Sequence, residues 1–328
     1  MITEQQQLDR SNSAETVDAM MEVTLEDFAD SFGVTVDDVP ERCRERIALG
    51  HFRYRKVEGQ ERDRIILEVL KKIATDRQVV GATDRKDVWN AGWEENYEAF
   101  VQSGHDLAKL VPRFVRPGQP IRWQQGYIIP ENQWFERDFF AVLREWLFET
   151  YCADADAIYE FGCGTGMNLA AFAQRYPDKE YHGFDFVPPA QKMVDAMAQA
   201  YGWRMQGHLF DMTAPDAHIE FKGNSRLLTF GALEQLAGKI ETFFEFVLER
   251  SPGLCVHVEP VVDLYDEDNL IDFLAASFHR KRGYTANLLS YLQDLESRGK
   301  IELLKVKRSF FGSLFMEGYT VLAWRPIG

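Results

Sequence analysis

A short run of glycines preceded by a carboxylate is the part of this sequence best suited to hold a ligand. In YEFGCGTGMNL, residues 159–169, Gly162, Gly164 and Gly166 alternate with other residues, and Glu160 stands two positions before the first of them. Glycine has no Cβ atom, so such a loop lets the backbone approach a ligand closely. A neighbouring carboxylate attracts cationic groups and repels phosphates. The loop is therefore a candidate site for a ligand with a cationic, amino-acid-like end.

Two common phosphate-binding loops have a different spacing from this one. A dinucleotide-binding turn follows the pattern G-x-G-x-x-G, whereas Met167 occupies the place of its third glycine here. A P-loop needs a lysine directly after its last glycine, and no lysine follows these glycines. The observed G-x-G-x-G therefore fits an adenosyl ligand better than a dinucleotide or a nucleoside triphosphate.

Acidic residues also end the next two apolar segments of the chain. Asp185 closes GFDF, and Asp211 closes GHLFDM between the apolar Phe210 and Met212. A carboxylate can accept hydrogen bonds from two hydroxyl groups, and bonds to a charged acceptor are the stronger kind. Asp185 is therefore a second candidate contact for the same ligand. Asp211 and its two neighbours could equally be structural, because aspartate at a strand end is common.

Alternating strands and helices must position these residues. From residue 156, short apolar runs such as AIYEF and SRLLTF alternate with helical segments such as GMNLAAFAQRY and KIETFFEFVLER. This alternation predicts an α/β fold, with a doubly wound, mostly parallel seven-stranded sheet between layers of helices. The last two strands, KIELLKVKRSF and GYTVLAWRP, have no helix between them. We expect them to pair antiparallel at the end of the sheet.

Taken together, these segments resemble the class I S-adenosylmethionine-dependent methyltransferases. EFGCGTG is similar to the first motif of that family, GFDF and GHLFDM to the ends of its second and third strands, and TFGALEQLAG to the segment after its fourth strand. The likeness is clear over residues 156–260 and looser over the C-terminal strands. It implies a Rossmann-like methyltransferase domain with S-adenosylmethionine as the cofactor.

The resemblance also implies roles for individual residues. The methionine end of the cofactor would lie at the glycine loop, the ribose hydroxyls at Asp185 and the adenine amino group at Asp211. The full set of cofactor contacts expected in this sequence is Glu160, Gly162, Gly164, Gly166, Asp185, Phe186, Phe210, Asp211, Met212 and Phe230. The family often has H-x-x-E-H after its fourth strand. Here Gly231 stands where the first histidine would be, and Glu234 and Gln235 follow.

Polar residues after the fourth and fifth strands are candidates for the methyl acceptor site. Glu234 and Gln235 follow the fourth strand, and His257, Glu259 and Asp263 lie in or after the fifth. His257 and Glu259 are two residues apart on a strand, so they face the same side and could act as a base and its partner. We predict catalytic roles for Glu234, Glu259 and His257, and substrate contacts for Gln235 and Asp263. A buried structural histidine is the alternative for His257, and no metal is expected because the pair lacks a third ligand.

A helical extension and an aromatic segment precede the predicted domain at residues 151–328. Residues 1–85 are predicted to be a helical extension, because apolar residues recur at helical spacing over residues 61–77. It would either pack within the chain or form a homodimer. Residues 86–150 are rich in aromatic residues and are predicted to form a lid or connector. From this segment we expect Trp93 and Tyr127 to contact the acceptor.

The acidic residues near the predicted acceptor site favour a basic acceptor. We therefore predict methyl transfer to a nitrogen of a small amino-acid-like amine or guanidino compound such as arginine, whose charge would pair with carboxylates. The nearest alternative is O-methylation of a sugar or natural-product hydroxyl, with His257 as the base. A non-catalytic cofactor-binding module and a nicotinamide-dependent oxidoreductase are lesser alternatives, and a protein acceptor stays open.

Composition narrows the choice of partners. The formal net charge is −15 over 328 residues, which disfavours nucleic acid and anionic membrane surfaces. No apolar run approaches the ~18 residues of a membrane span. The four cysteines form no C-x-x-C pair, as is usual for free thiols in a reducing compartment. We expect a cytoplasmic enzyme with a small-molecule acceptor.

Overall fold

The structure is a computed structural model that describes residues 19–80, 85–216 and 218–327. Residues 1–18 and 81–84 of the predicted extension lie outside the described residues. The helices are α1 Leu25–Phe32, α2 Glu41–Leu49, α3 Gly59–Thr75, α4 Arg85–Gln102, α5 Phe135–Leu147, α6 Met167–Arg175, α7 Pro188–Tyr201, α8 Glu241–Arg250, α9 Leu270–Arg282 and α10 Leu288–Ser297. The strands are β1 Met21–Glu22, β2 Arg53–Lys56, β3 Ile121–Trp123, β4 Gly126–Pro130, β5 Ala157–Phe161, β6 Glu180–Asp185, β7 Met205–Leu209, β8 Ser225–Phe230, β9 Leu254–Glu259, β10 Ile301–Lys307, β11 Phe311–Gly312 and β12 Thr320–Pro326.

A seven-stranded sheet forms the centre of the described chain. Its strand order is β10-β12-β9-β8-β5-β6-β7. The five strands from β5 to β9 run parallel, while β12 pairs antiparallel with both β9 and β10. This confirms the predicted α/β sheet and the antiparallel pairing of its last two strands. The chain order reverses between β5 and β8, which is the place where open α/β sheets bind their ligands.

Helices cover both faces of this sheet, so its central strands are buried on both sides. β5 is buried at every position, and β8 and β9 are buried at all but one. On one face, Phe161 stacks on Phe184 with ring centroids 4.4 Å apart, and Phe243 of α8 lies 5.1 Å from Phe161. Strands covered on both faces need near-continuous apolar sequence. The buried carboxylates Glu160 and Glu259 at the ends of β5 and β9 are therefore exceptions that need an explanation.

A second sheet, which the sequence analysis did not predict, joins the N-terminal part of the chain to its C-terminal part. Its order is β1-β2-β4-β3-β11, and all of its pairings are antiparallel. The extension thus contains two short strands besides its helices, and β3 and β4 form a hairpin within the predicted lid or connector. Gln124 and Gln125 turn this hairpin with φ of +48° and +57°. Two-residue hairpin turns with positive φ usually have the sequence Asn-Gly or Asp-Gly, whereas this turn has Gln-Gln.

Helix α1 packs its apolar face against α5 within the same chain. Phe28 stacks on Phe139 with ring centroids 4.8 Å apart, and Phe32 stacks on Trp146 at 4.9 Å. This face is therefore occupied inside the described chain, and a homodimer through the N-terminal helices stays a prediction. None of the helices in residues 19–80, 85–216 and 218–327 combines the length and the apolar character needed to cross a bilayer.

Candidate functional site

The glycine loop leaves β5 in a conformation that favours glycine at three positions. Gly162, Gly164 and Gly166 have φ of +70°, +52° and +69°, in the left-handed region that side chains disfavour. A Cβ atom on Gly162 would lie 2.4 Å from the Cβ of Ala232, and one on Gly166 would lie 2.6 Å from the Cε of Met197. The loop is therefore packed against the segment after β8 on one side and against α7 on the other.

Glu160 is a buried carboxylate with one oxygen left over. It is 1% exposed, and its Oε1 accepts a hydrogen bond from Asn168 at 2.8 Å. Its Oε2 is buried and has no hydrogen-bond partner in the described part of the chain. Burial raises the pKa of Glu160 to about 8. An unpaired buried carboxylate is costly, and the ammonium of an amino-acid-like ligand would remove that cost.

Asp185 ties the glycine loop to the end of β6. It is 5% exposed and accepts hydrogen bonds from the backbone N–H groups of Gly164 at 3.0 Å and Val187 at 3.3 Å, one on each oxygen. Burial raises its pKa to about 6, although these N–H groups oppose the shift. Each carboxylate oxygen can accept a further bond, so Asp185 can still receive two hydroxyl groups.

The three residues expected to contact adenine differ in their exposure and in their distance from the glycine loop. Asp211 is exposed and accepts bonds from the backbone N–H and the hydroxyl of Thr213 at 2.8 and 2.7 Å. Phe210 is buried in the core, 5.1 Å from the ring of Phe161. Met212 is half-buried, and its Cε would lie 3.7 Å from a Cβ on Gly162. Met212 thus lies beside the loop, while Phe210 packs as a core residue, and the adenine roles stay predictions.

Of the two expected lid residues, Trp93 lies on the glycine loop. A Cβ on Gly164 would be 2.9 Å from the Cζ2 of Trp93, whose ring stacks on Trp89 at 5.2 Å and packs with the half-buried Phe186. Tyr127 instead packs in a separate apolar cluster between β4 and α9, and its hydroxyl donates to the carbonyl of Leu314 at 3.4 Å. The acceptor contact predicted for Tyr127 has no support in this placement.

His257 is fully buried, and both of its ring nitrogens have partners. The indole Nε1–H of Trp324 donates to its Nε2 at 2.9 Å, which assigns the proton to Nδ1. Nδ1 then donates to the hydroxyl of Thr229 at 2.9 Å. Burial lowers the pKa of His257 to about 3. A neutral histidine without a free nitrogen has nothing to offer an acceptor, so these contacts match the structural alternative rather than the predicted base.

Glu259 is also fully buried, and it holds the segment after β8. Its Oε1 accepts a hydrogen bond from the backbone N–H of Ala232 at 3.0 Å. Burial raises its pKa to about 7, opposed by the Thr229 hydroxyl and by the N–H groups of residues 232–234. Its Oε2 makes no hydrogen bond in the described chain, but the carboxylate lies among these donors. Because Ala232 packs under Gly162, Glu259 positions the floor of the site, and its catalytic role stays a prediction.

The other acids of the predicted acceptor site have local partners. Glu234 accepts a hydrogen bond from the side chain of its neighbour Gln235 at 2.6 Å. Asp263 caps α10 by accepting from the N–H groups of Leu289 and Ser290 at 3.4 and 3.2 Å. Among residues 19–80, 85–216 and 218–327, no group of three or more His, Cys, Asp or Glu side chains is placed to hold a metal ion.

A carboxylate–tyrosine pair that the sequence analysis missed lies near the end of β8. The hydroxyl of Tyr319 donates to the Oε1 of Glu136 at 2.9 Å. Phe140 packs on Tyr319 at 5.4 Å and on Phe230 at 5.8 Å, and Phe230 is the last residue of β8. Glu136, Phe140, Phe230 and Tyr319 are all half-buried. They form a wall next to the segment on which the glycine loop packs.

Burial raises the pKa of Glu136, and burial together with this carboxylate raises the pKa of Tyr319. Glu136 escaped notice because an acid in the first turn of a helix is ordinary. The available signal was its spacing. Glu136, Phe140 and Arg144 recur every four residues on α5, so they share one face of that helix.

Comparisons with known proteins agree with the fold and go no further. No family model and no curated protein matches the sequence. The solved structure of the cyclase SpnF matches with a TM-score of 0.50 and 13% identity, over 77% of this chain and 100% of that one. An rRNA methylase from Escherichia coli matches with a TM-score of 0.45 and 14% identity, over 80% and 90% of the two chains. Human N-acetylserotonin methyltransferase matches with a TM-score of 0.45 and 12% identity, over 81% and 67%.

At such identities the likeness concerns the fold alone, and the TM-scores of the two methyltransferases are too low for their substrates to bear on this chain. The sheet order supports the same conclusion independently. It has the parallel strands of a doubly wound sheet, with one antiparallel strand inserted beside β9. The chain therefore has a Rossmann-like, doubly wound α/β fold.

Proposed function

We propose that the protein is an S-adenosylmethionine-dependent methyltransferase that methylates a nitrogen of a small polar, amino-acid-like metabolite. The observation that carries this proposal is the buried, unpartnered Oε2 of Glu160 beside three left-handed glycines. A site built for phosphates would not aim a carboxylate at its ligand. With Asp185 at the next strand end, the donor set matches an ammonium group followed by a ribose.

Each of these residues has a definite task in binding the donor. Glu160 accepts from the ammonium of the methionine end, and the backbone N–H groups at the start of α6 face its carboxylate. Asp185 accepts from the ribose hydroxyls, and Trp93 covers the glycine loop and excludes water from it. S-adenosylmethionine, when bound, supplies a methyl group on a positively charged sulfur. An aromatic ring such as that of Trp93 favours such a charge.

The acceptor must lose a proton, and Glu136 is the group best suited to take it. An amine attacks only in its neutral form, so a base has to accept the proton of an ammonium. Glu136 is half-buried and its raised pKa makes it a better proton acceptor than an exposed carboxylate. Tyr319 fixes the orientation of the carboxylate through its hydroxyl. The rings of Phe140 and Phe230 pack beside this pair and form an apolar side of the proposed acceptor site.

Methylation of a hydroxyl is the second candidate. The acids that favoured a basic acceptor, Glu234, Glu259 and Asp263, are engaged with their own side-chain or backbone partners. A base that is poised to accept a proton serves a hydroxyl as well as an ammonium. The wall around Glu136 therefore supports either acceptor, and the amino-acid-like amine is our first choice.

The decisive experiment measures donor binding first and turnover second. Isothermal titration with S-adenosylhomocysteine should give binding that NAD does not reproduce. Labelled S-adenosylmethionine should then transfer its methyl group to members of a panel of amino acids, guanidines, sugars and phenols. Glu136→Gln should lower kcat while donor affinity stays unchanged. No binding of S-adenosylhomocysteine at high micromolar concentration would contradict the proposal, and transfer to hydroxyls only would select the second candidate.

A further inference from the structure

A cleft of about 260 Å³ opens beside the glycine loop. It lies between α5, α6 and a short 3-10 helix at Leu107–Leu110. Met167, which follows the last glycine of the loop, is one of its lining residues. The cleft therefore lies next to the end of the glycine loop, and none of the expected cofactor contacts lines it.

The charged lining of this cleft is mainly positive. Arg46, Arg137 and Arg144 line it, and Asp138 is the acid among its lining residues. Asp138 is already used, because it accepts from the side chain of Asn132 at 2.7 Å and from Arg137 at 2.8 Å. Three guanidinium groups around one cleft are unexpected in a chain with a net charge of −15. Arg46 pairs with Glu145 at 3.3 Å, so the surplus positive charge of the lining comes mainly from Arg144, and it favours an anion.

Arg144 is the member of this set that most needs a partner. Its Nη1 donates to the Oδ1 of Asn168 at 3.3 Å, and its guanidinium lies 5.5 Å from the ring centre of Phe140. Within the described residues it forms no ion pair with a carboxylate. Burial lowers the pKa of Arg144 to about 10, and the neighbouring Arg46 adds to this effect. The carboxylates of Glu160 and Glu145 oppose the shift without forming an ion pair with Arg144. In the described part of the chain the Nε and Nη2 of Arg144 make no hydrogen bond, so an anion can bind them in the fork geometry that suits carboxylate and phosphate.

Arg144 also lies on the same face of α5 as the proposed base Glu136. Glu136, Phe140 and Arg144 follow one face of α5, with the first and last two helical turns apart, about 12 Å along the axis. An acceptor can thus place an anionic group at Arg144 and its reacting nitrogen or oxygen near Glu136. The aliphatic and aromatic part of the lining, from Leu107, Leu110 and Phe140, fits the carbon chain between the two ends.

We propose that this arginine-lined cleft binds an anionic group, a carboxylate or a phosphate, of the methyl acceptor. The proposal rests on the function proposed above and narrows its substrate class to acids such as amino acids or phosphorylated metabolites. The same chemistry has a second possible source, which is the carboxylate of the donor itself. The test therefore separates anion binding in the cleft from binding of the donor.

The first arm measures the thermal unfolding midpoint against inorganic phosphate and acetate, at constant ionic strength with chloride. A ligand of the folded state raises this midpoint, and Arg46→Gln, Arg137→Gln or Arg144→Gln should each weaken the apparent affinity about tenfold. Arg325→Gln is the matched control, since Arg325 is an exposed arginine on β12 whose carboxylate partner, Glu302, lies on β10. General salt effects act on all variants alike. Equal phosphate responses in the control and the three cleft variants would overturn the proposal.

The second arm repeats the phosphate titration with saturating S-adenosylhomocysteine. If the acceptor provides the anion, phosphate still binds. If S-adenosylhomocysteine blocks phosphate while 5′-methylthioadenosine, which has no carboxylate, does not, the cleft belongs to the donor and the proposal is wrong. Should S-adenosylhomocysteine not bind at all, the proposed function fails, whereas the phosphate titrations still report on the cleft. Arg144→Lys, which keeps the charge but loses the fork, replaces Arg144→Gln if that variant does not fold.

Discussion

Replacing Glu160 by glutamine should stabilise the free protein at alkaline pH and weaken donor binding at the same time. Glu160 is 1% exposed, and its pKa lies near 8 in the folded state against 4.5 for the unperturbed group. Glutamine has almost the same shape and keeps an oxygen that can accept from Asn168. It never ionises, so it removes the buried charge that the folded protein must carry above pH 8.

The sign and size of the effect follow from proton linkage. Between its unfolded and folded pKa values, Glu160 is protonated in the folded state and ionised in the unfolded one, so the free energy of unfolding falls as pH rises. A difference of one in pKa corresponds to about 1.4 kcal/mol. Integrated between about pH 5.5 and 9, this residue alone lowers the free energy of unfolding by about 3 kcal/mol. Asp185 and Glu259 act in the same direction, but their contributions cancel when the two proteins are compared.

Urea denaturation of the wild type and Glu160→Gln at pH 5.5 and 9 provides the measurement. The variant should lose about 3 kcal/mol less than the wild type between the two pH values. Glu302→Gln, which changes an exposed acid paired with Arg325, should keep the wild-type slope. Parallel pH dependences for the wild type and Glu160→Gln would refute the buried, protonated carboxylate on which the reasoning depends.

The same variant tests the function of that oxygen. Calorimetry with S-adenosylhomocysteine at pH 7.5 should show an affinity at least tenfold lower for Glu160→Gln, because a hydrogen bond to a charged group contributes about 1.5–3 kcal/mol. The wild type should also release a proton when the ligand binds, since an ammonium next to Glu160 lowers its pKa. Undiminished affinity in the variant would remove Glu160 from the donor site while leaving its effect on stability intact.

Three further substitutions separate donor binding, loop conformation and core structure. Asp185→Ala should reduce S-adenosylhomocysteine affinity below detection by calorimetry, because both hydroxyl acceptors are lost; an affinity near that of the wild type would exclude Asp185 as a ligand. Gly166→Ala should lower the free energy of unfolding, measured by chemical denaturation, by about 1–2 kcal/mol, because alanine disfavours the positive φ at this position. Adding Met197→Ala removes the steric contact but not the backbone strain, so it should restore little of this loss. Trp324→Phe should lower the free energy of unfolding by about 1–3 kcal/mol, because it leaves the Nε2 of His257 unpaired. The pH profile of kcat should stay unchanged, and an altered profile would restore His257 as a base.

The central sheet could be predicted because each of its strands and helices can be identified from a short stretch of sequence. The strands β5, β8 and β9 are short runs rich in apolar residues. The helices between neighbouring strands have apolar residues at helical spacing, so the order of elements implies a parallel sheet. The second sheet could not be predicted in this way. β1, β3 and β11 are two or three residues long, and their partners lie up to about two hundred residues away. Pairings of this kind are specified by tertiary packing, which leaves no periodic pattern in the sequence.

The acids of the candidate site could be selected from the sequence, but the surroundings of each side chain could not. The sequence points to acids at strand ends, because a charged residue is unexpected where a strand is buried. It does not say which hydrogen-bond donors surround each acid. Glu160 lies near one side-chain amide and one backbone N–H group, whereas Glu259 lies among three backbone N–H groups and His257 lies between an indole and a hydroxyl. These partners come from other strands and loops, so only the folded chain assigns the roles.

Helix α5 connects the N-terminal extension to the proposed chemistry. Its buried face carries Phe139 and Trp146, on which Phe28 and Phe32 of α1 are stacked. A second, half-buried face of α5 carries the row that begins at Glu136 and ends at the arginine-lined cleft. Because both rows lie on one rigid helix, a change in the packing of α1 also shifts the acceptor wall relative to the glycine loop. The extension therefore supports α5, whereas Trp93 of α4, in the segment predicted to be a lid or connector, covers the glycine loop.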